Sequence, residues 1–151
     1  MDYQALNALT KKDCYPLSLI NKTLNQIRQA KWFTKLDVSA VFHKIHITKG
    51  QEWLTAFYTR YRLYKWLVTL FSMANAPSTF QKFINWILHE YLNKFCSAYI
   101  NNMLVYTNGS LDQHWKHIQK TLDKLSEAGL YLDINKCKFK CKETKYLGFI
   151  I

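Results

Sequence analysis

Apolar residues recur along this chain at two spacings, one that suits helices and one that suits strands. Leu17, Ile20, Leu24 and Ile27 share a helical face and predict an amphipathic helix over 17–30. Phe80, Phe83, Ile84, Ile87, Leu88 and Tyr91 form a wider stripe, preceded by Asn75 as a cap and Pro77 in the first turn. A long helix is predicted from there to about Asn93. Leu111, Trp115, Ile118, Leu122 and Leu125 predict another, which stops at Gly129 because glycine accepts a left-handed cap.

The remaining stretches read as extended. Residues 32–38 predict a buried strand leading to Asp37, and 45–48, 53–57 and 58–68 predict further extended pieces, the last dense in aromatics alternating with Arg60, Arg62 and Lys65. In 96–106, two apolar runs flank Asn101-Asn102, a pair that tolerates the positive φ of a tight hairpin. Short strands are predicted in 130–139 and 145–151. Tyr3, Leu6 and Leu9 have helical spacing, and Tyr15-Pro16 breaks that pattern because a residue before proline is pushed toward extended geometry. Helix, strand, extended pairs, helix, hairpin, helix and strands together predict an α+β fold: an antiparallel sheet with helices packed on one face.

Composition narrows the class. The 151 residues suit one domain, 49% hydrophobic content provides for a core, and 4 Gly with 2 Pro argue against disorder. No apolar run approaches the ~18 residues that span a bilayer, and the first residues lack a secretory pattern, so an intracellular chain is expected. Cys14, Cys96, Cys137 and Cys141 are then expected as thiols. With His114-x-x-His117, Cys137-x-x-x-Cys141 supplies four zinc-type donors, but neither spacing is the usual one and plainer roles are favoured. A net charge of +11 points to a polyanionic partner, most simply nucleic acid, with a solvated basic surface as the alternative.

Several segments, in order, resemble the reverse transcriptase of gypsy-type LTR retrotransposons. They are Asp2-Tyr3-Gln4-Ala5-Leu6-Asn7 with Tyr15-Pro16-Leu17, the run from Phe33 to Ile45, and Asn75-Ala76-Pro77-Ser78-Thr79-Phe80-Gln81. The Tyr99-Ile100-Asn101-Asn102 hairpin, Ala128-Gly129-Leu130 with Lys136-Cys137, and Tyr146-Leu147-Gly148 complete the series. The resemblance implies a right-hand polymerase fold with palm near 12–44 and 76–151 and partial fingers near 1–11 and 45–75. It also implies an RNA or DNA primer-template as partner, Mg²⁺ or Mn²⁺ as cofactor, and possible association with other pol-derived chains.

In that family two metal ions drive phosphoryl transfer to a primer hydroxyl, which requires several carboxylates to converge. Asp37 stands at the first carboxylate position, and Asn101 and Asn102 stand where the family has two aspartates. One acid in place of three predicts weak metal binding at Asp37 and polymerisation near background. The resemblance further assigns Phe42 to exclusion of the ribose 2′-hydroxyl, Phe71 and Ser72 to the nucleotide pocket, and Gln81 to the template side. Lys136 resembles a proton donor to pyrophosphate, and Tyr146, Leu147 and Gly148 resemble the primer grip.

Other positions depart from the family pattern: Gln4 and Cys14 replace arginine, Ser18 and Leu70 replace proline, and Arg62 and Ser72 replace glycine. Each exchange, like the two asparagines, is one C-to-T or G-to-A transition away, as expected of a damaged retroelement copy. The stretch from Met1-Asp2-Tyr3 to Ile151 is expected to be a truncated copy, so that restoring both aspartates would not by itself bring robust primer extension. The competing expectation is a non-catalytic nucleic-acid binder or scaffold, in which Trp53, Tyr58, Tyr61 and Tyr64 stack on unpaired bases.

Overall fold

The computed structural model of the chain describes residues 3–13, 27–39, 45–70 and 72–151. The helix predicted over 17–30 lies almost wholly outside the described residues, as do Phe42 and Phe71. The main elements are helix α1 (Gln4–Leu9), strands β1 (Trp32–Ser39), β2 (Phe57–Tyr58) and β3 (Leu63–Tyr64), and helix α2 (Ala76–Ile87). There follow β4 (Cys96–Tyr99), β5 (Asn102–Thr107), α3 (Leu111–Glu127), β6 (Tyr131–Leu132), β7 (Lys138–Cys141), β8 (Lys145–Tyr146) and β9 (Phe149–Ile150).

Five of these strands build one sheet in the order β4-β5-β1-β6, with β7 also paired to β1. Every pairing in it is antiparallel, which is the α+β arrangement expected from the sequence. Burial explains why β1 sits at its centre. Strand residues alternate between faces. Leu36 and Val38 join Met103, Val105, Cys96 and Ala98 under α2 and α3, against Phe80, Ile84, Ile118 and Leu125. Phe33 joins Leu104, Tyr106, Tyr146 and Ile27 in a smaller cluster on the opposite face. Asp37 shares that second face, because it is an even number of residues from Phe33.

Three local expectations give way to hydrogen bonding. The stripe from Phe80 predicts a helix to about Asn93, yet α2 ends at Ile87. Beyond it the Tyr91 carbonyl accepts from the N–H groups of Lys94, Phe95 and Cys96, and Asn93 takes a φ of 61°, which turns the chain into β4. Asn75 precedes the helix but makes no side-chain cap; its amide donates to the Lys11 carbonyl and accepts from the Asp13 N–H instead. The extended stretch expected at 53–57 is a 3₁₀ turn over Glu52–Thr55. There Glu52 accepts from the Gly50 N–H and the Thr55 hydroxyl donates to the Glu52 carbonyl, local bonds that compete with a strand.

Candidate active site

The Tyr99-Ile100-Asn101-Asn102 turn lies at the end of the central hairpin, beside the last residues of β1. Tyr99 pairs with Asn102, and Asn102 pairs with Asp37, so three side chains from three adjacent strands lie in a row on the face away from α2 and α3. Asp37 is 7% exposed. The Val38 N–H donates to the Asn101 carbonyl at 2.8 Å and fixes the turn against β1.

The turn differs from the expected Asn101-Asn102 loop by one residue. The loop residues are Ile100 and Asn101, and the positive φ of 52° belongs to Ile100. Positive φ at the first loop position alone suits a II′ hairpin. A β-branched residue is costly there, by about 1–2 kcal/mol. Register decides the matter: Cys96, Ala98, Met103 and Val105 must all face the helices, and a slip by one residue would turn each of them outward.

Gln81 holds this strained turn. The resemblance assigns it to the template side; in the structure it is fully buried. Its Oε1 accepts from the Ile100 N–H at 2.7 Å, while its Nε2 donates to the Ala98 carbonyl at 3.1 Å and to Asn85 Oδ1 at 2.9 Å. The side-chain amide thus pairs with the open edge of β4 as a neighbouring strand would. Nothing in the polar character of Gln81 read along the sequence distinguishes this role from a surface one.

Lys136 closes the other side. It pairs with Asp133 at 3.0 Å, and hydrogen bonding to Asp133, the Asp133 charge and the nearby Asp37 charge raise its pKa above the usual lysine range. Asp133 in turn is held below the usual carboxylate range, chiefly by the bond to Lys136. The Asp133 N–H donates to the Asp37 carbonyl at 2.9 Å, and the Asp37 N–H points at the Cys137 sulfur at 3.4 Å. Asp133 stands outside the family series, its i,i+3 spacing to Lys136 being its sequence signal, whereas Cys137 belongs to the Lys136-Cys137 pair of that series.

The donors suit a pair of divalent ions poorly. Mg²⁺ prefers anionic oxygen, whereas Asn101 and Asn102 offer neutral amides, and the Asn102 Nδ2 already donates to the Asn101 Oδ1 at 3.1 Å. Among the described residues, no group of three or more His, Cys, Asp or Glu side chains could hold a metal ion. The suggested zinc donors serve the core: His114 and His117 both bond Thr107 through Nδ1, at 2.9 and 2.8 Å.

The remaining assigned residues lie further along the chain. Tyr146 is buried, burial raises its pKa, and its hydroxyl meets the Ser97 hydroxyl at 3.1 Å, which ties β8 to β4. Leu147 and Gly148 form the β8–β9 turn with φ of 49° and 88°. Ser72 is exposed, and its carbonyl accepts from Asn7 at 2.8 Å.

A helix-backed antiparallel sheet, with Asp37 on its central strand beside a tight hairpin turn, is the arrangement of a polymerase-type palm. The family model for reverse transcriptase (RNA-dependent DNA polymerase) matches residues 1–151, and the chain belongs to that family. It is 37% identical over 151 residues to the retrovirus-related Pol polyprotein from transposon opus of Drosophila melanogaster, covering all of this chain and 15% of that protein. To the Tf2-7 transposon polyprotein of Schizosaccharomyces pombe it is 36% identical, over 100% of this chain and 11% of that one. The chain therefore spans only a small part of the length of these curated relatives. Among solved structures, foamy viral protease-reverse transcriptase in complex with an RNA/DNA hybrid matches with a TM-score of 0.87 and 25% identity, over 99% of this chain and 20% of that one. The fold also matches the same protein's complex with double-stranded DNA, at a TM-score of 0.84.

Proposed function

We propose that this reverse transcriptase domain of a gypsy-type retrotransposon polyprotein retains the palm for a primer-template but adds nucleotides at or near background. The palm is assigned to 12–44 and 76–151 and partial fingers to 1–11 and 45–75, in an intracellular setting. One observation supports the loss of activity: Asp37 lies beside a turn that offers only amides at Asn101 and Asn102, with the lysine ammonium of Lys136 close by. Two-metal transfer draws its rate from charge stabilisation at such a site, so removing two anions removes most of it. The foamy viral relative's complexes with RNA/DNA hybrid and double-stranded DNA support a duplex as the partner.

The test is primer extension on a homopolymer template with Mg²⁺ or Mn²⁺, using the purified chain. No extension above a protein-free control is expected. Extension at rates comparable to an intact relative would overturn the reading.

A second reading, a nucleic-acid binder or scaffold without catalysis, is favoured by the exposure of Trp53, Tyr58, Tyr61 and Tyr64. It predicts duplex binding that weakens steeply with salt.

A further inference from the structure

Asp37 is nearly buried, yet among the described residues no hydrogen bond or ion pair reaches its carboxylate. Its N–H points at the Cys137 sulfur and its carbonyl accepts from the Asp133 N–H, so the backbone is matched and the side-chain charge is not. A carboxylate in that position is costly unless a cation compensates it. The family's pair of divalent ions fits poorly, because the turn beside Asp37 offers amides that already bond each other.

The chain itself brings a cation to this place. The bond from the Asp133 N–H to the Asp37 carbonyl sets the 3₁₀ turn Ile134–Lys136 against the end of β1. Asp133 then holds Lys136 through three contacts. One carboxylate oxygen accepts from the Asn135 N–H at 3.2 Å and caps the turn, the Asp133 carbonyl accepts from the Lys136 N–H at 3.0 Å, and the other carboxylate oxygen pairs with the ammonium at 3.0 Å. The ammonium thus lies on Asp133, short of ion-pair contact with Asp37 but within its field: hydrogen bonding to Asp133, the Asp133 charge and the Asp37 charge all raise its pKa. A single ammonium–carboxylate contact of this kind is weak, and the lysine stem is flexible, so the same ammonium is free to serve either acid.

We propose that Lys136 is the resident cation of Asp37, its ammonium moving between the two carboxylates, and that Asp133 is the positioning residue that draws it off. The lysine then competes with any divalent ion for Asp37, and Asp133 sets how strongly it does so. The proposal rests on the palm reading for the place of the ion site, and goes beyond it by giving that site a cation from the chain itself.

The test is Mn²⁺ affinity of the whole chain, followed by electron paramagnetic resonance without primer, template or nucleotide. Lys136→Met should raise the affinity roughly tenfold, as expected for removing a unit charge a few ångströms from a dication. Lys138→Met removes the same charge from β7, opposite Lys35, and should raise it less than roughly threefold. In an Asp37→Asn background Lys136→Met should lose its effect, which locates the ion at Asp37. Asp133→Asn keeps an oxygen to cap the turn but gives up the ammonium, and should lower the affinity roughly threefold or more. Its factor should be smaller once Lys136 is methionine, because no ammonium remains to move. Without metal, Lys136→Met should melt below Lys138→Met, and added Mn²⁺ should close the gap. Equal affinity in Lys136→Met and the unmodified chain would overturn the proposal, as would an equal Asp133→Asn factor in both backgrounds. Robust primer extension would overturn the function proposed above, but it is a separate measurement, and the ratios between these variants stand or fall without it.

Discussion

Two asparagine side chains set what the central turn can do. In Asn101→Asp with Asn102→Asp, the turn and Asp37 beside it would together carry three carboxylates, and each added anion strengthens attraction for a hard dication. Affinity for Mn²⁺, followed by electron paramagnetic resonance, should rise at least roughly tenfold over the unmodified chain. An unchanged affinity would show that Lys136, rather than the charge at positions 101 and 102, controls the site. Gln81 governs the shape of the same turn. Gln81→Ala would strand the Ile100 N–H and the Ala98 carbonyl under the helix, at about 1–3 kcal/mol for each buried group left unpaired. A lower urea midpoint and faster hydrogen exchange at Ile100 are expected.

At the scale of elements, α3 is joined to the sheet by a chain of hydroxyls and imidazoles. Thr34 bonds His114 Nε2 at 2.9 Å, and Thr107 bonds Nδ1 of both His114 and His117. The Thr107 hydroxyl has one proton, so it donates to one ring, whose Nδ1 must be unprotonated, and accepts from the Nδ1–H of the other. Thr107→Val would leave both ring nitrogens unmatched and should cost about 1–3 kcal/mol in chemical unfolding. Protonation acts on the same chain. Burial lowers both histidine pKa values, with the positive charge of His117 adding to the effect on His114 and that of Lys120 to the effect on His117. A depressed value means that the unfolded chain binds protons first as pH falls, so the neutral pair stabilises fully above the ordinary histidine range of about 6.5. That contribution is lost as pH drops through the lowered folded values. Melting temperature should therefore fall between pH 7.5 and 5 in the unmodified chain, and fall less when both histidines are replaced by glutamine.

For the whole molecule, the sequence by itself determined the architecture. Strand and helix periodicities are local, and the apolar positions of β1, β4, β5, α2 and α3 leave few ways to bury them except a sheet backed by helices on one face. The same residues carried the family likeness, because motif order is a linear property, and that likeness implied that Asp37 and the hairpin converge. The neutral amides of Asn101 and Asn102 were equally legible, since charge is read from residue identity. Only the tertiary structure decided which residue of the turn is strained, because register depends on all the buried partners of a strand at once. It also made Gln81 a buried amide that closes the edge of β4, and brought Asp133 and Cys137 to Asp37 from about a hundred residues away in sequence. Exposure of Tyr58 and Tyr61 was decided the same way: an aromatic at strand spacing suits a core or a surface equally well, and only the positions of neighbouring elements determine whether anything covers it.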